Sequence, residues 1–184
     1  MLSGHVVWPI AAAAALAVWW GGGRHDRPPA ARAAAALLAA YLGWLFSATF
    51  FPVPVTRRAL AAGRAAKPGG GLHADLVPFH SIGHLLALGP CWPAERLLVG
   101  NVVVFAPLGL LAPAVWPRVG SLPRTLLVGL LTSGGIELGQ LAVSVAVGYS
   151  YRVTEVDDVL LNVSGVLLGY AVRRAACARR RRPA

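Results

Sequence analysis

Five stretches of this chain are apolar for long enough to cross a bilayer as helices, at residues 6–22, 33–51, 97–116, 125–147 and 156–176. The polar residues inside them are not scattered. In the fourth stretch Ser133, Glu137, Gln140 and Ser144 are spaced 4, 3 and 4. That spacing sets all four on one stripe, because residues three and four apart share a helix face. Asp158, Asn162, Gly165 and Gly169 repeat the same intervals in the fifth stretch. Residues 126–131 and 141–147 around Glu137 are apolar, so its carboxylate lies inside a span. Such a group costs roughly 2.5–3.5 kcal/mol near the bilayer centre on insertion scales. Glu137 therefore needs a partner, and Arg152, in the short connection to the fifth span, is the nearest candidate in sequence. Both stripes are expected to face protein, not lipid.

The remaining pattern fills in around that pair. Trp8, Trp19 and Trp20 stand near the ends of the first span, where interfacial aromatics belong. A cleaved leader is disfavoured, because no Lys or Arg precedes the apolar run and Gly21, Gly22, Gly23 and Arg24 make no clear cleavage site. Residues 24–32, with Pro28 and Pro29, read as a loop, and Pro52 and Pro54 close the second span. A long connection, 53–96, carries Arg57, Arg58, Arg64 and Lys67, then the flexible Pro68, Gly69, Gly70 and Gly71. Its less polar part, 76–88, is too short to span and is bounded by Pro78 and Pro90, so it is assigned as interfacial or re-entrant. In the third span Pro107 and Pro113 predict a bent helix whose freed carbonyls need neighbours. The fold class is all-α, a polytopic bundle of five spans.

Composition agrees. The 184 residues are 57% hydrophobic and 13% charged, which excludes an ordinary soluble domain. A net charge of +10 on a soluble chain would suggest nucleic acid, but here the charge sits in loops and tail, against lipid head groups. No nucleic-acid partner is expected. Eleven of the 17 basic residues, namely Arg24, Arg27, Arg32, Arg118, Arg124 and the six of the tail, fall on one side of five spans. The positive-inside rule then makes the C-terminus cytoplasmic and the N-terminus external. Cys91 and Cys177 fall on opposite sides and should not pair. In this orientation Arg152, Asp157 and Asp158 lie at the outer surface, with Asn101 about a turn inside it and Glu137, Gln140 and Asn162 deeper. Side chains of three helices then line one cavity open to the outer leaflet.

These residues carry a likeness to a known family. The chain resembles the VanZ-like membrane proteins, whose pattern is an Asn before an apolar Pro-x-Gly stretch, a Glu-x-x-Gln helix, an Arg, an Asp pair and Asn-x-x-Gly-x-x-x-Gly. Here those are Asn101, Pro107 and Gly109; Glu137 and Gln140; Arg152; Asp157 and Asp158; and Asn162, Gly165 and Gly169. Asp75, Leu76, Val77, Pro78 and Phe79 match a further segment, with Asp75 where Asn is usual. The likeness covers about 33–172, so residues 1–32 form an extra helix and loop, 33–172 the membrane domain and 173–184 a basic tail. The resemblance implies a bacterial cell-envelope protein of a family named for resistance to the glycopeptide teicoplanin; it implies no settled reaction.

Glu137 and Asp158 are the candidate catalytic carboxylates, since a carboxylate shielded from water suits a general base or proton relay. The plainer alternative is glue: Glu137 bonded to Gln140, Asn101 or Asn162 across helices. Asp157 also suits the positive end of a helix dipole. Arg152 matches phosphate oxygens in a bidentate way and equally suits neutralising a carboxylate. With Asn101, Gln140, Asn162 and Asp157 it forms the candidate substrate-binding set. Pro107, Gly109, Gly165 and Gly169 are assigned to helix packing. His80 and His84, with His73 and Asp75 near, invite a metal, but the simpler reading is an interfacial helix with two polar edges. No cofactor motif is present. The expected partners are membrane lipids and a lipid-linked cell-wall precursor or envelope enzymes. Recognition or modification of that precursor is the leading expectation, a non-catalytic adaptor the next, and a small transporter the third.

Overall fold

A computed structural model describes Gly4 and residues 7–21, 28–67, 71–89 and 92–180. Val6, Gly22, Arg24, Arg27, Pro68, Gly69, Gly70, Pro90, Cys91, Arg181 and Arg182 lie outside the described residues, as do the side chains of Trp20, Arg96 and Arg180. The elements run α1 (Val7–Gly21), α2 (Pro29–Phe50), α3 (Arg57–Ala65), β1 (Ala74–Asp75), α4 (His80–Ala87), α5 (Trp92–Val115), a 3₁₀ turn (Pro117–Val119), α6 (Leu122–Val147), β2 (Thr154–Glu155) and α7 (Val156–Arg180). The all-α bundle is as expected. Four helices are long and apolar enough to cross a membrane, namely Pro29–Phe50, Leu97–Val115, Leu122–Val147 and Val156–Arg179. The first predicted span is a 15-residue helix that packs on α2, with Ala11 against Gly43.

Which faces are covered explains what holds the bundle. On α6, Thr125, Gly129, Ser133, Glu137, Gln140, Ser144 and Val147 are buried. Leu131 and Leu138, on the other face, are 66% and 67% exposed. A water-soluble protein would reverse that distribution. Lipid is as apolar as leucine, so burying leucine supplies no association energy between spans; close packing and interhelical hydrogen bonds must do so. Packing is closest between α5 and α7. A Cβ on Gly109 would overlap the Val166 carbonyl, and Cβ atoms on Gly165 and Gly169 would overlap those of Val102 and Ala106. Phe105, Leu108, Ala112 and Val166, with Leu38 and Leu45 of α2, fill the core beside this seam.

Proline and the helix ends are accommodated as hydrogen bonding requires. Pro107 leaves the Val103 carbonyl without its helical donor, and the Tyr41 hydroxyl of α2 donates one residue along, to Val104 O at 3.0 Å. Gly148 ends α6 at φ 78°, a left-handed conformation that suits glycine. Its last carbonyls do not go unmet: Arg64 of α3 donates from Nε and Nη2 to Val147 O at 3.1 and 2.9 Å. A cation there also complements the helix dipole.

The connection between the second and third spans is more structured than the sequence suggested. Residues 57–65 form α3, started by Thr56, whose Oγ1 accepts from Ala59 N at 3.2 Å. β1 pairs in parallel with β2, Ala74 opposite Thr154 and Asp75 opposite Glu155. This two-residue ladder straps the connection to the start of α7.

Candidate functional site

The inward stripe of α6 meets the end of α2 and the beginning of α7. Glu137 is 6% exposed, and its Oε2 accepts from the backbone N–H of Glu155 at 3.1 Å. The expected pairing with Arg152 is not formed, nor is a bond to Gln140, Asn101 or Asn162. The reason is the β2 segment: it carries the Glu155 amide to the carboxylate and turns Arg152 toward α2. There Arg152 Nη2 lies 3.4 Å from Phe51 O and its guanidinium carbon 5.8 Å from the centre of the Tyr151 ring. Asp158, Glu155 and Arg152 all remain near enough to act on the charge of Glu137.

The other candidates separate into two clusters. Asn101 of α5 donates from Nδ2 to Asp158 Oδ1 at 2.6 Å, and Asn162 donates from Nδ2 to Ser133 Oγ at 2.9 Å. These bonds tie α7 to α5 and to α6. Asp157, 2% exposed, points elsewhere: its Oδ1 accepts from Phe79 N at 2.6 Å and its Oδ2 from Ile82 N at 2.9 Å. It thereby supplies the acceptor for the start of α4, whose flanking Phe79 has φ 64° and no side-chain cap of its own.

Gln140 and Ser144, expected on the inward stripe, are joined at this end by residues that the sequence reading missed: Thr49, Lys67, Tyr149, Ser150 and Tyr151. Gln140 Nε2 donates to Thr49 O at 2.9 Å, and Ser144 Oγ, held by Gln140 O at 2.9 Å, accepts from Tyr151 N at 3.1 Å. The Tyr151 hydroxyl reaches Phe50 O and Pro52 O at 2.6 and 2.8 Å. Lys67 donates to Ser150 O, and Ser150 Oγ accepts from His73 N at 2.6 Å. Lys67, Tyr149, Tyr151 and Arg152 line a cavity of about 340 Å³. Only the polar character of these positions was visible in sequence; the loop that brings Lys67 to Arg152 was not. Arg152 Nε, Thr154 Oγ1 and Asn162 Oδ1 are buried with no partner among the described residues, so each retains a donor or acceptor for another group.

His73, His80 and His84 sit on the strap. His80 Nδ1 contacts Asp75 Oδ2 at 2.5 Å, and Asp75 Oδ1 accepts from Val77 N at 3.1 Å. The His80 hydrogen bond, then the Val77 amide, hold the Asp75 carboxyl below its usual range, and the same bond to Asp75 raises the His80 imidazole. His84 shares a separate hollow with His80, Ser81 and Glu155. Among the described residues no group of three or more His, Cys, Asp or Glu is placed to hold a metal.

A helical bundle with lipid-facing leucines and an enclosed polar end defines a multi-pass membrane protein. The chain belongs to the VanZ/LLP1 family, whose model matches residues 38–176, from within α2 to within α7. No curated protein and no solved structure matches it.

Proposed function

We propose that this protein recognises or modifies the phosphate-bearing head of a lipid-linked envelope precursor of the polyprenyl-phosphate kind, with an effect on susceptibility to teicoplanin-type glycopeptides. The observation that carries this reading is the cavity of about 340 Å³ where Lys67 and Arg152 stand beside Tyr149 and Tyr151. Neither cation has a carboxylate partner among the described residues. An arginine fork and a lysine point charge suit phosphate oxygens. Glu137 and Asp158 are the candidate catalytic carboxylates in this reading, although of the predicted set Arg152 alone is among the residues lining that cavity. Asn101 positions Asp158, while Gln140, Asn162 and Asp157 hold the frame that admits the head group. With the C-terminus cytoplasmic and the N-terminus external, this end lies in the outer leaflet of the bacterial cell membrane.

The test is made in the native host with variants matched for membrane level. Glu137→Gln and Arg152→Ala should each change glycopeptide susceptibility and cause a lipid-linked precursor to accumulate, read by mass spectrometry. Wild-type susceptibility and an unchanged pool in both variants would refute the reading. The second reading, a non-catalytic adaptor for envelope enzymes, draws on the strap, where Leu76, Val77 and Phe79 are 71%, 62% and 66% exposed. It predicts that polar substitutions at those three positions act more strongly than either cavity variant.

A further inference from the structure

We infer that the chain carries a second anionic site, for the phosphodiester head of an acidic membrane lipid, between the C-terminal ends of α5 and α7. A cavity of about 410 Å³ lies there, lined by Pro113, Pro117, Gly120, Tyr170, Arg173 and Arg174 among others. The sequence builds it directly. Pro117 opens a 3₁₀ turn after α5, and the Tyr170 hydroxyl donates to Gly120 O at 3.3 Å, tying that turn to α7 beside the hollow.

Charge specifies an anion. Arg173 and Arg174 have no ion-pair or side-chain hydrogen-bond partner among the described residues. The chain has no acidic residue in 96–136 or beyond 158, so nothing on α6's first half or α7's second half neutralises them. A basic pocket between the ends of spans is a recognised form of lipid-head recognition.

A separate feature distinguishes a lipid from a free anion. Val103, Ala106, Pro107, Leu110, Leu168, Gly169 and Val172 form an adjoining apolar groove of about 280 Å³ between the same two helices. Leu110 and Ala114, like Gly169 and Arg173, are four residues apart, so the groove leads toward the cavity along these positions, while Arg174 and Cys177 stand on a different face of α7 from Leu168 and Val172. Leu168 and Val172 are 50% and 53% exposed immediately before the arginines. A head held at the Arg173 edge of the cavity therefore places an acyl chain along this groove, with Arg174 adding charge from the neighbouring face.

The test uses the purified full chain in mild detergent, titrated with phosphatidylglycerol, phosphatidylcholine or inorganic phosphate and read by native mass spectrometry. Phosphatidylglycerol should bind in preference to phosphatidylcholine, and phosphate should not displace it. The double variant Arg173→Ala/Arg174→Ala should weaken phosphatidylglycerol binding about tenfold or more, whereas Arg179→Ala, outside the cavity, should change it less than about twofold. Leu168→Trp, which fills the groove, should weaken it while leaving the arginines in place. Unaltered binding in the double variant, an equal loss from Arg179→Ala, or displacement by phosphate would each overturn the inference. Because Lys67 and Arg152 are untouched, its failure leaves the proposed function standing, and the reverse also holds.

Discussion

The two ends of this bundle treat their charges in opposite ways. Where α6 closes and α7 opens, Glu137, Asp157, Asp158 and Asp75 each accept a hydrogen bond from the chain itself, and Arg64 and Lys67 donate to its carbonyls. At the far end Arg173 and Arg174 face a cavity with no such bond among the described residues. The difference follows from solvent. Most polar groups enclosed by protein and lipid are satisfied within the chain, Arg152 Nε, Thr154 Oγ1 and Asn162 Oδ1 being the exceptions among the described residues, because leaving them unmet costs several kcal/mol in hydrocarbon. Arginines at the water border bear no such penalty and can be left for an outside partner.

Both ends depend on the α5–α7 seam, so the largest effect comes from breaking it. Gly169→Leu, whose Cβ would overlap the Ala106 carbonyl, should cost about 3 kcal/mol or more and lower the unfolding temperature in detergent. An unchanged melting temperature would show that the helices do not meet there. Next come the enclosed carboxylates. Asp157→Ala strips an acceptor from two backbone N–H groups and should cost about 1–3 kcal/mol, with faster proteolysis of the α4 strap. Glu137→Ala should fall in the same range, whereas Glu137→Gln, which keeps an acceptor for Glu155 N, should cost less than about 1 kcal/mol.

A smaller, pH-dependent effect belongs to the strap. Asp75 is held below its ordinary value of 3.8, so its contribution is present above that pH and fades as the carboxyl protonates at lower pH. His80 is held above its ordinary 6.5, so its contribution is complete below that pH and fades as pH rises through the raised value. Protease resistance of residues 71–89 should therefore peak between about pH 3.8 and 6.5, and His80→Ala should flatten the profile. A profile unaltered by that variant would remove the pair from the account. The smallest effect is expected at the far end, where Arg174→Ala should change stability by no more than about 0.5 kcal/mol. A greater loss would mean that this arginine is already engaged within the chain, which would erase the contrast between the ends.

The sequence was most informative where a helical period governs. The burial of Ser133, Glu137, Gln140 and Ser144 was legible because the 4, 3, 4 spacing names a face, and the inward Gly165 and Gly169 were legible for the same reason. It was least informative where contacts are distant in the chain. Arg152 was chosen as the partner of Glu137 because it is near in sequence; a two-residue strand, too short to show any period, delivers the Glu155 amide instead. Asp157 was readable as a helix-start residue of α7, but the N–H groups it accepts from are those of Ile82 in α4 and of Phe79 just before it, 75 and 78 residues away. Thr56 ahead of residues 57–65 was an N-cap signal that could have revealed α3. That Arg64 of this helix would meet the last carbonyl of α6 was beyond any local pattern.

The polar stripe of α6 faces protein while the opposite face meets lipid. Spin labels placed singly at Ser133→Cys, Ser144→Cys, Leu131→Cys and Leu138→Cys, in a background lacking the native cysteines, test it through their accessibility to lipid-dissolved oxygen. High oxygen accessibility is expected at 131 and 138 and low accessibility at 133 and 144. Equal or reversed accessibility would contradict it.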